Sequence, residues 1–277
     1  MKILFYLVHP AKFHLFRYTI NYFSKSNRVD VIINSKDVLE ELVKSERWNY
    51  INLFPHGRNN SPKPSVIKSA IKFVLTIIKL EQYLIKREKY DVFITDDSLV
   101  VNGWIRRIPS FIFNDNDIET IKINKILFFF ATKIISPLAT NLGDFDSKKI
   151  SFKGNKALAS LDPKYFHPNE NILKKYNLIE NGYAIIRVSK INATHDIGNQ
   201  GITDTQLDSI INEVAPYLTV IISAERQLNK RYESMKFKGD AQDLLELIYF
   251  ASFFIGDSAS MASEAAVLGT PNILINK

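Results

Sequence analysis

The sequence predicts an α/β protein made of two doubly wound parallel-sheet halves in tandem. Three observations carry that expectation. Short β-branched runs alternate with longer amphipathic stretches in both halves. A proline-containing, weakly periodic stretch lies near residues 150–180. The 277 residues suffice for two domains of roughly 150 each.

In the first half, residues 3–8 read as a buried strand. Residues 12–24 place Phe13, Phe16, Ile20 and Phe23 on one helical face, and residues 29–34 form a second strand. A helix over 37–44 begins at a plausible cap, Ser35, and residues 50–54 are another strand. Residues 58–64 are a loop by their Asn, Ser and Pro content. Residues 65–89 are helical in period, and 91–94, 110–113 and 134–136 are later strands. Residues 152–169, with two prolines and aromatic anchors, suit an ordered connection. The pattern then restarts with strands at 183–188, 218–223, 253–256 and 272–275, and helices at 203–214, 240–251 and 260–268. Both halves are therefore Rossmann-like, with ligands expected at the carboxyl ends of their strands and in a cleft between the halves.

Hydrophobic residues at 46% and charged residues at 23% are globular values and exclude a disordered or fibrous chain. The absence of cysteine excludes disulfide frameworks, zinc-thiolate and iron–sulfur sites and a cysteine nucleophile. The amino-terminal apolar run is too short for a signal peptide. Lys68, Lys72, Lys79, Lys125 and Lys133 interrupt the other apolar stretches before they reach a membrane-spanning length of ~20 residues. A cytoplasmic protein is expected.

The net charge of +7 is unevenly placed. Residues 1–150 hold 23 of the 36 Lys and Arg against 15 of the 29 Asp and Glu, an excess of +8, and the remainder carries −1. A basic face meeting something anionic is one reading, and a lysine-rich surface that keeps the chain soluble is the other. Nucleic acid binding has no support beyond this charge, so no nucleic acid partner is expected. The basic stretches 66–89 and 121–133 either rest on an anionic membrane at its inner face or turn their aromatics to the sheet and their lysines to water.

The most informative segment runs from Gly256 to Pro271. A buried strand ends at Gly256, small hydroxyl residues follow, and a helix begins near Ser260. Free N–H groups, a positive dipole end and small side chains let an anion approach. Glu264, one turn further, can lean to the same mouth and accept from ribose hydroxyls. Alternatively Ser258 and Ser260 merely cap the helix and Glu264 is a surface acid. Among the histidines, His9 lies at the end of the first strand and His14 one turn beyond. Their spacing of five is wrong for a metal pair on one helical face, and neither a metal nor a cofactor is expected. A reaction that takes a proton from a substrate hydroxyl needs a base at such a strand end. His9 is the first choice, with Asp96, Asp97 and Asp115 as rivals, and Asp96-Asp97 also serves as a helix cap. His56 and His167 have no chemical context. No dinucleotide, P-loop or nucleophile-elbow motif occurs.

The spacing Asp257-Ser258, five residues, Glu264, then Leu268-Gly269-Thr270-Pro271, resembles the nucleotide-sugar signature of GT-B glycosyltransferases and non-hydrolysing UDP-N-acetylglucosamine 2-epimerases. The whole chain resembles domain of unknown function 354, a GT-B-like family. The matching residues are His9-Pro10 with His14, Leu161, Pro163, Tyr165-Phe166 and Pro168, Arg187-Val188, His195-Asp196 with Gly198 and Gly201, and Asp240, Asp243 and Leu244-Leu245 through Pro271.

The resemblance implies an acceptor domain over 1–155, a connection over 156–180 and a nucleotide-sugar domain over 181–277. It puts Ser258 and Ser260 near the diphosphate and Glu264 at the ribose. The 223–226 loop, with Glu225, and the 237–243 loop would border the base. His195 would donate to the leaving phosphate, oriented by Asp196, with Lys190 and Arg187 as further cations; the alternative is a loop histidine satisfied by its neighbour. Where the epimerases carry paired glycines, a second glutamate and an early Arg-Pro-Glu, this chain has Ala259-Ser260, Ser263 and His9-Pro10-Ala11. Transferase therefore ranks above epimerase. The expected partners are a nucleotide-diphosphate sugar, a UDP-sugar first, and a lipid-linked or glycan acceptor, in surface polysaccharide or glycoconjugate synthesis. A 2-epimerase and a non-catalytic nucleotide-sugar-binding subunit are the alternatives. The chain stops just after its last strand, where GT-B proteins continue with helices, so a fragment or an abbreviated member is expected.

Overall fold

The structure, a computed structural model, describes residues 1–34, 39–55, 66–120, 124–189 and 201–275. In chain order they form β1 (Lys2–Leu7), α1 (Pro10–Ser24), β2 (Arg28–Asn34), α2 (Leu39–Ser45), β3 (Tyr50–Phe54), α3 (Val66–Ile85), β4 (Val92–Thr95), α4 (Leu99–Arg106), β5 (Ser110–Phe113), α5 (Asn124–Phe130), β6 (Lys133–Pro137) and β7 (Lys149–Phe152). There follow α6 (Leu158–Leu161), α7 (Asn171–Tyr176), β8 (Tyr183–Val188), α8 (Asp204–Val214), β9 (Thr219–Ala224), α9 (Leu244–Phe250), β10 (Phe253–Gly256), α10 (Ala259–Leu268) and β11 (Asn272–Leu274). The chain divides into two compact units, Met1–Ser160 and Leu161–Lys277.

Unit 1 holds a seven-stranded parallel sheet in the order β3-β2-β1-β4-β5-β6-β7. Because a strand's side chains alternate, the apolar run of β1 feeds two cores. Ile3, Phe5 and Leu7 pack with α1 and α2, while Leu4 and Tyr6 pack with α3. Helix α1 starts where Pro10 fixes φ and His9 supplies the cap, and it buries Phe13, Phe16 and Ile20 at helical spacing. Helix α5 ends on the ammonium of Lys148, which donates to the carbonyls of Phe128, Phe129 and Ala131 at 2.9, 2.7 and 2.9 Å.

Unit 2 holds a four-stranded parallel sheet, β11-β10-β8-β9. Ala184, Ile186 and Val188 of β8 face α8, and Tyr183 and Ile185 face α9 and α10. Helix α8 opens on a reciprocal cap, in which Thr203 and Gln206 each accept from the other's backbone N–H.

Several elements depart from the sequence expectation. The helix expected over 240–251 is a 3₁₀ turn, Ala241–Asp243, followed by α9. Helix α4 and strand β7 had no strong signal. The first spans eight residues interrupted by Gly103, where an added Cβ would sit 2.9 Å from Ser110 Cβ; the second is a short edge strand of mixed polarity. The cap assigned to Ser35 and the 58–64 loop lie outside the described residues.

Candidate anion-binding site at the end of the second sheet

In unit 2 the chain runs from β8 outward to β9, then crosses back to β10 and outward to β11. The order reverses between β8 and β10, and open parallel sheets receive ligands beyond the carboxyl ends of the strands at such a reversal. Three segments leave the sheet there: Ser189 after β8, Glu225 after β9, and Asp257-Ser258 after β10.

The frame is held by Asp257. One carboxylate oxygen accepts from the N–H of Ser189 at 2.7 Å, the other from the N–H of Ile202 at 3.0 Å. Both ends of the segment 190–200 are thus tied to one side chain. Lys190, His195 and Asp196 fall in that segment and lie outside the described residues. Gly256 brings β10 close to β8: a Cβ there would lie 2.7 Å from Arg187 Cβ and 3.1 Å from its carbonyl oxygen.

Helix α10 begins immediately after this frame. Ser258 is its N-cap, with extended backbone angles and Oγ accepting from Met261 N–H at 3.5 Å. No described residue accepts from the N–H groups of Ala259 and Ser260, which open the helix with its positive dipole end. Ser260 is exposed and Glu264, four residues on and therefore on the same face, is half-buried. Ser260 and Glu264 thus lie on one face of the helix that Ser258 caps.

Arg187 lies across the sheet end, largely buried. Its Nη1 donates to Ser223 Oγ at 2.7 Å and its Nη2 pairs with the Glu225 carboxylate, while its buried Nε meets no acceptor among the described residues. The guanidinium holds the 223–226 loop and fixes Glu225. Arg226 continues this bracing, donating to Ile202 O at 3.1 Å and Asp204 at 2.8 Å. The 237–243 loop is anchored by Asp243, which accepts from Tyr176 Oη at 2.6 Å and Lys175 Nζ at 2.5 Å. Burial would raise the Asp243 pKa, but these two donors override it and hold the carboxyl below its usual range.

The other sequence-selected residues lie in unit 1, whose sheet order reverses between β1 and β4. His9 is exposed and its Nδ1 accepts from Ala11 N–H at 3.2 Å, so in the neutral ring the proton sits on Nε2. Lys12, from the first turn of α1, pairs with Asp96 at 3.1 Å. Burial would lower the Lys12 pKa; Asp96, with Asp115 and Asp97 behind it, raises it instead. Asp97 accepts from Ser98 N–H at 2.6 Å and so braces the turn before α4, and Asp115 pairs with Lys156 at 2.6 Å. His14 is half-buried, and burial with the nearby Arg17 holds its pKa below the ordinary value. Among the described residues no three His, Asp or Glu side chains gather to hold a metal ion.

The residue whose role sequence reasoning missed is Asp257. Its signal was an acid directly after a buried, glycine-terminated strand, a position that can reach the amides of neighbouring strand ends.

Two doubly wound parallel sheets define a GT-B-like protein, the architecture shared by nucleotide-sugar glycosyltransferases and UDP-N-acetylglucosamine 2-epimerases. The chain belongs to the family described as protein of unknown function (DUF354), which it matches over residues 1–276. It is similar to UDP-N-acetylglucosamine 2-epimerase from Rickettsia bellii, with a TM-score of 0.69 and 18% identity, covering 98% of this chain and 78% of that one. It is also similar to Anabaena Alr3699/HepE, solved in complex with UDP and glucose, with a TM-score of 0.59 and 12% identity over 99% of this chain and 80% of that one. In sequence it is 27% identical over 158 residues to the uncharacterized protein MJ0665 of Methanocaldococcus jannaschii, a match spanning 54% of this chain and 46% of that protein.

Proposed function

We propose that unit 2 binds a nucleotide-diphosphate sugar, a UDP-sugar first, and that the protein transfers the sugar to a glycan or lipid-linked acceptor held by unit 1 in surface polysaccharide or glycoconjugate synthesis. The observation that carries this reading is the opening of α10 at the sheet reversal, where Ser258 caps the helix and the next two amides meet no described acceptor. Such an opening suits a diphosphate, whose charge the helix end favours.

In this reading Ser258 and Ser260 lie at the diphosphate and Glu264 accepts from the ribose hydroxyls. Arg187 acts chiefly by holding Glu225, since two of its donors are already engaged. Lys190, His195 and Asp196 are assigned to the leaving phosphate: His195 donates to it and Asp196 orients the imidazole. The acceptor hydroxyl attacks the anomeric carbon as the bond to the diphosphate oxygen breaks. The hydroxyl proton passes to a base, and the departing diphosphate keeps the electron pair. His9 serves as that base through Nε2 only in the tautomer that protonates Nδ1. That exchange surrenders a helix cap worth about 1 kcal/mol, small beside a chemical barrier.

The likeness to a 2-epimerase supports a second reading, inversion at C2 of the donor sugar. A thermal-shift screen of nucleotide sugars on the wild type and Glu264→Ala tests the shared part. A UDP-sugar shift lost in the variant supports the assignment, and an equal shift in both removes Glu264 from the site. Product analysis separates the reactions: an epimerase releases an isomerised nucleotide sugar without acceptor, and a transferase releases UDP only with one. Binding without turnover, with lipid extracts supplied, would leave a non-catalytic subunit.

A further inference from the structure

Helix α3 is apolar on two opposite sides. Thr76, Leu80 and Leu84 turn inward, with Phe73 and Ile77 partly covered, and this side packs on the sheet and on α4. The opposite side exposes Ile71, Val74, Leu75 and Ile78, each between 46% and 57% accessible. A helix apolar on both sides is ordinarily covered on both. On the helices packed in turn beside α3, Trp104 of α4 and Phe129 of α5 are also exposed, at 60% and 63%. The ring of Phe130 joins them, with centroids 5.3 Å from Trp104 and 5.2 Å from Phe129. A cavity of ≈ 640 Å³ lined by Trp104, Ile105, Arg107, Phe130 and others opens beside these two rings.

Within α3, α4 and α5 the charges are mostly basic, and just before α5 Glu119 pairs with Lys125 at 3.2 Å. Lys68, Lys72 and Lys79 fall at i, i+4 and i+11, a column along one border of the exposed side of α3. Lys125 lies on α5. The acid within these three helices, Glu81, is neutralised by Arg106 at 2.8 Å and also accepts from Asn102 at 2.9 Å.

We infer that the α3–α4–α5 face of unit 1 seats on an anionic lipid bilayer, the apolar band entering the acyl boundary and the lysine column meeting lipid phosphates. The chemistry separates this occupant from a protein. Lysine is depleted at protein interfaces, whereas a basic border on an apolar helix face complements anionic headgroups. Trp104 has the apolar body and polar N–H that suit the interface depth. No described helix is long and apolar enough to cross a membrane, so the contact is a surface one.

The test uses the full chain and vesicles of phosphatidylcholine with and without phosphatidylglycerol. Sedimentation with the anionic vesicles and a blue shift of Trp104 fluorescence are expected, while Trp104→Phe removes the shift. Leu75→Glu with Ile78→Glu, both at exposed positions, abolishes binding, and each of Lys68→Ala, Lys72→Ala and Lys79→Ala weakens it about fivefold. Failure to bind the anionic vesicles at low salt overturns the inference, as does unchanged binding by the double glutamate variant. Self-association of the free chain that the glutamates abolish, without vesicle binding, overturns it in favour of a second copy. None of these measurements requires a nucleotide sugar, so this inference and the proposed activity fail separately.

Discussion

Replacing Asp257 with alanine removes the acceptor for two backbone amides at once, those of Ser189 and Ile202 at 2.7 and 3.0 Å. A hydrogen bond to a charged partner contributes about 1.5–3 kcal/mol, and the half-buried position argues for the lower end. The two together come to about 3 kcal/mol, or about 100-fold in a local opening equilibrium at about 1.4 kcal/mol per tenfold. Native-state hydrogen exchange reads this directly: protection of the Ser189 and Ile202 amides falls about 100-fold in Asp257→Ala. Asp257→Asn keeps one side-chain carbonyl and restores about half of the free energy. The amides within α1, in the other compact unit, serve as the internal reference. If Ser189 and Ile202 exchange in Asp257→Ala as they do in the wild type, the carboxylate does not frame the sheet end and the account of the mouth fails.

Gly256→Ala places a methyl against the backbone of β8, so a loss of about 1–3 kcal/mol and a fall in Tm of several degrees by calorimetry are expected. Lys148→Met leaves three carbonyls at the end of α5 without their ammonium, which lowers urea stability by about 2 kcal/mol. Asp243 has a folded pKa below its unfolded value, so its contribution is full above the ordinary carboxylate pKa and is lost as pH falls through the folded one. Urea midpoints of the wild type and Asp243→Asn should therefore differ by a constant amount above about pH 5 and converge on acidification. Parallel curves down to the acid transition would refute that assignment.

Every strand but β7 was legible, because a parallel strand covered on both faces reads as a continuous apolar run, as in residues 3–8 and 183–188. Helix α1 was legible from Phe13, Phe16 and Ile20 at helical spacing, and α10 from its small hydroxyl residues and Gly269. Helix α4 was not, because its buried residues Leu99–Gly103 run consecutively and its exposed residues Trp104 and Ile105 are apolar, so no polar face sets a period. At the site, the Ser258 cap was visible in the residue types. The clasp by Asp257 was not, because its two partners are backbone amides 68 and 55 residues away and backbone amides carry no sequence signature. The same holds for Arg187: its charge suggested an anion ligand, and the fold instead engages it with Ser223 and Glu225.

A strap buckled at both ends to a single post can be lengthened or exchanged without disturbing what the post stands on. Doubling the length of chain between Ser189 and Ile202 costs only about 0.6 kcal/mol of closure entropy, which the two amide bonds to Asp257 readily absorb. Residues between those two ties can therefore be exchanged while Asp257 keeps its place at the end of the sheet.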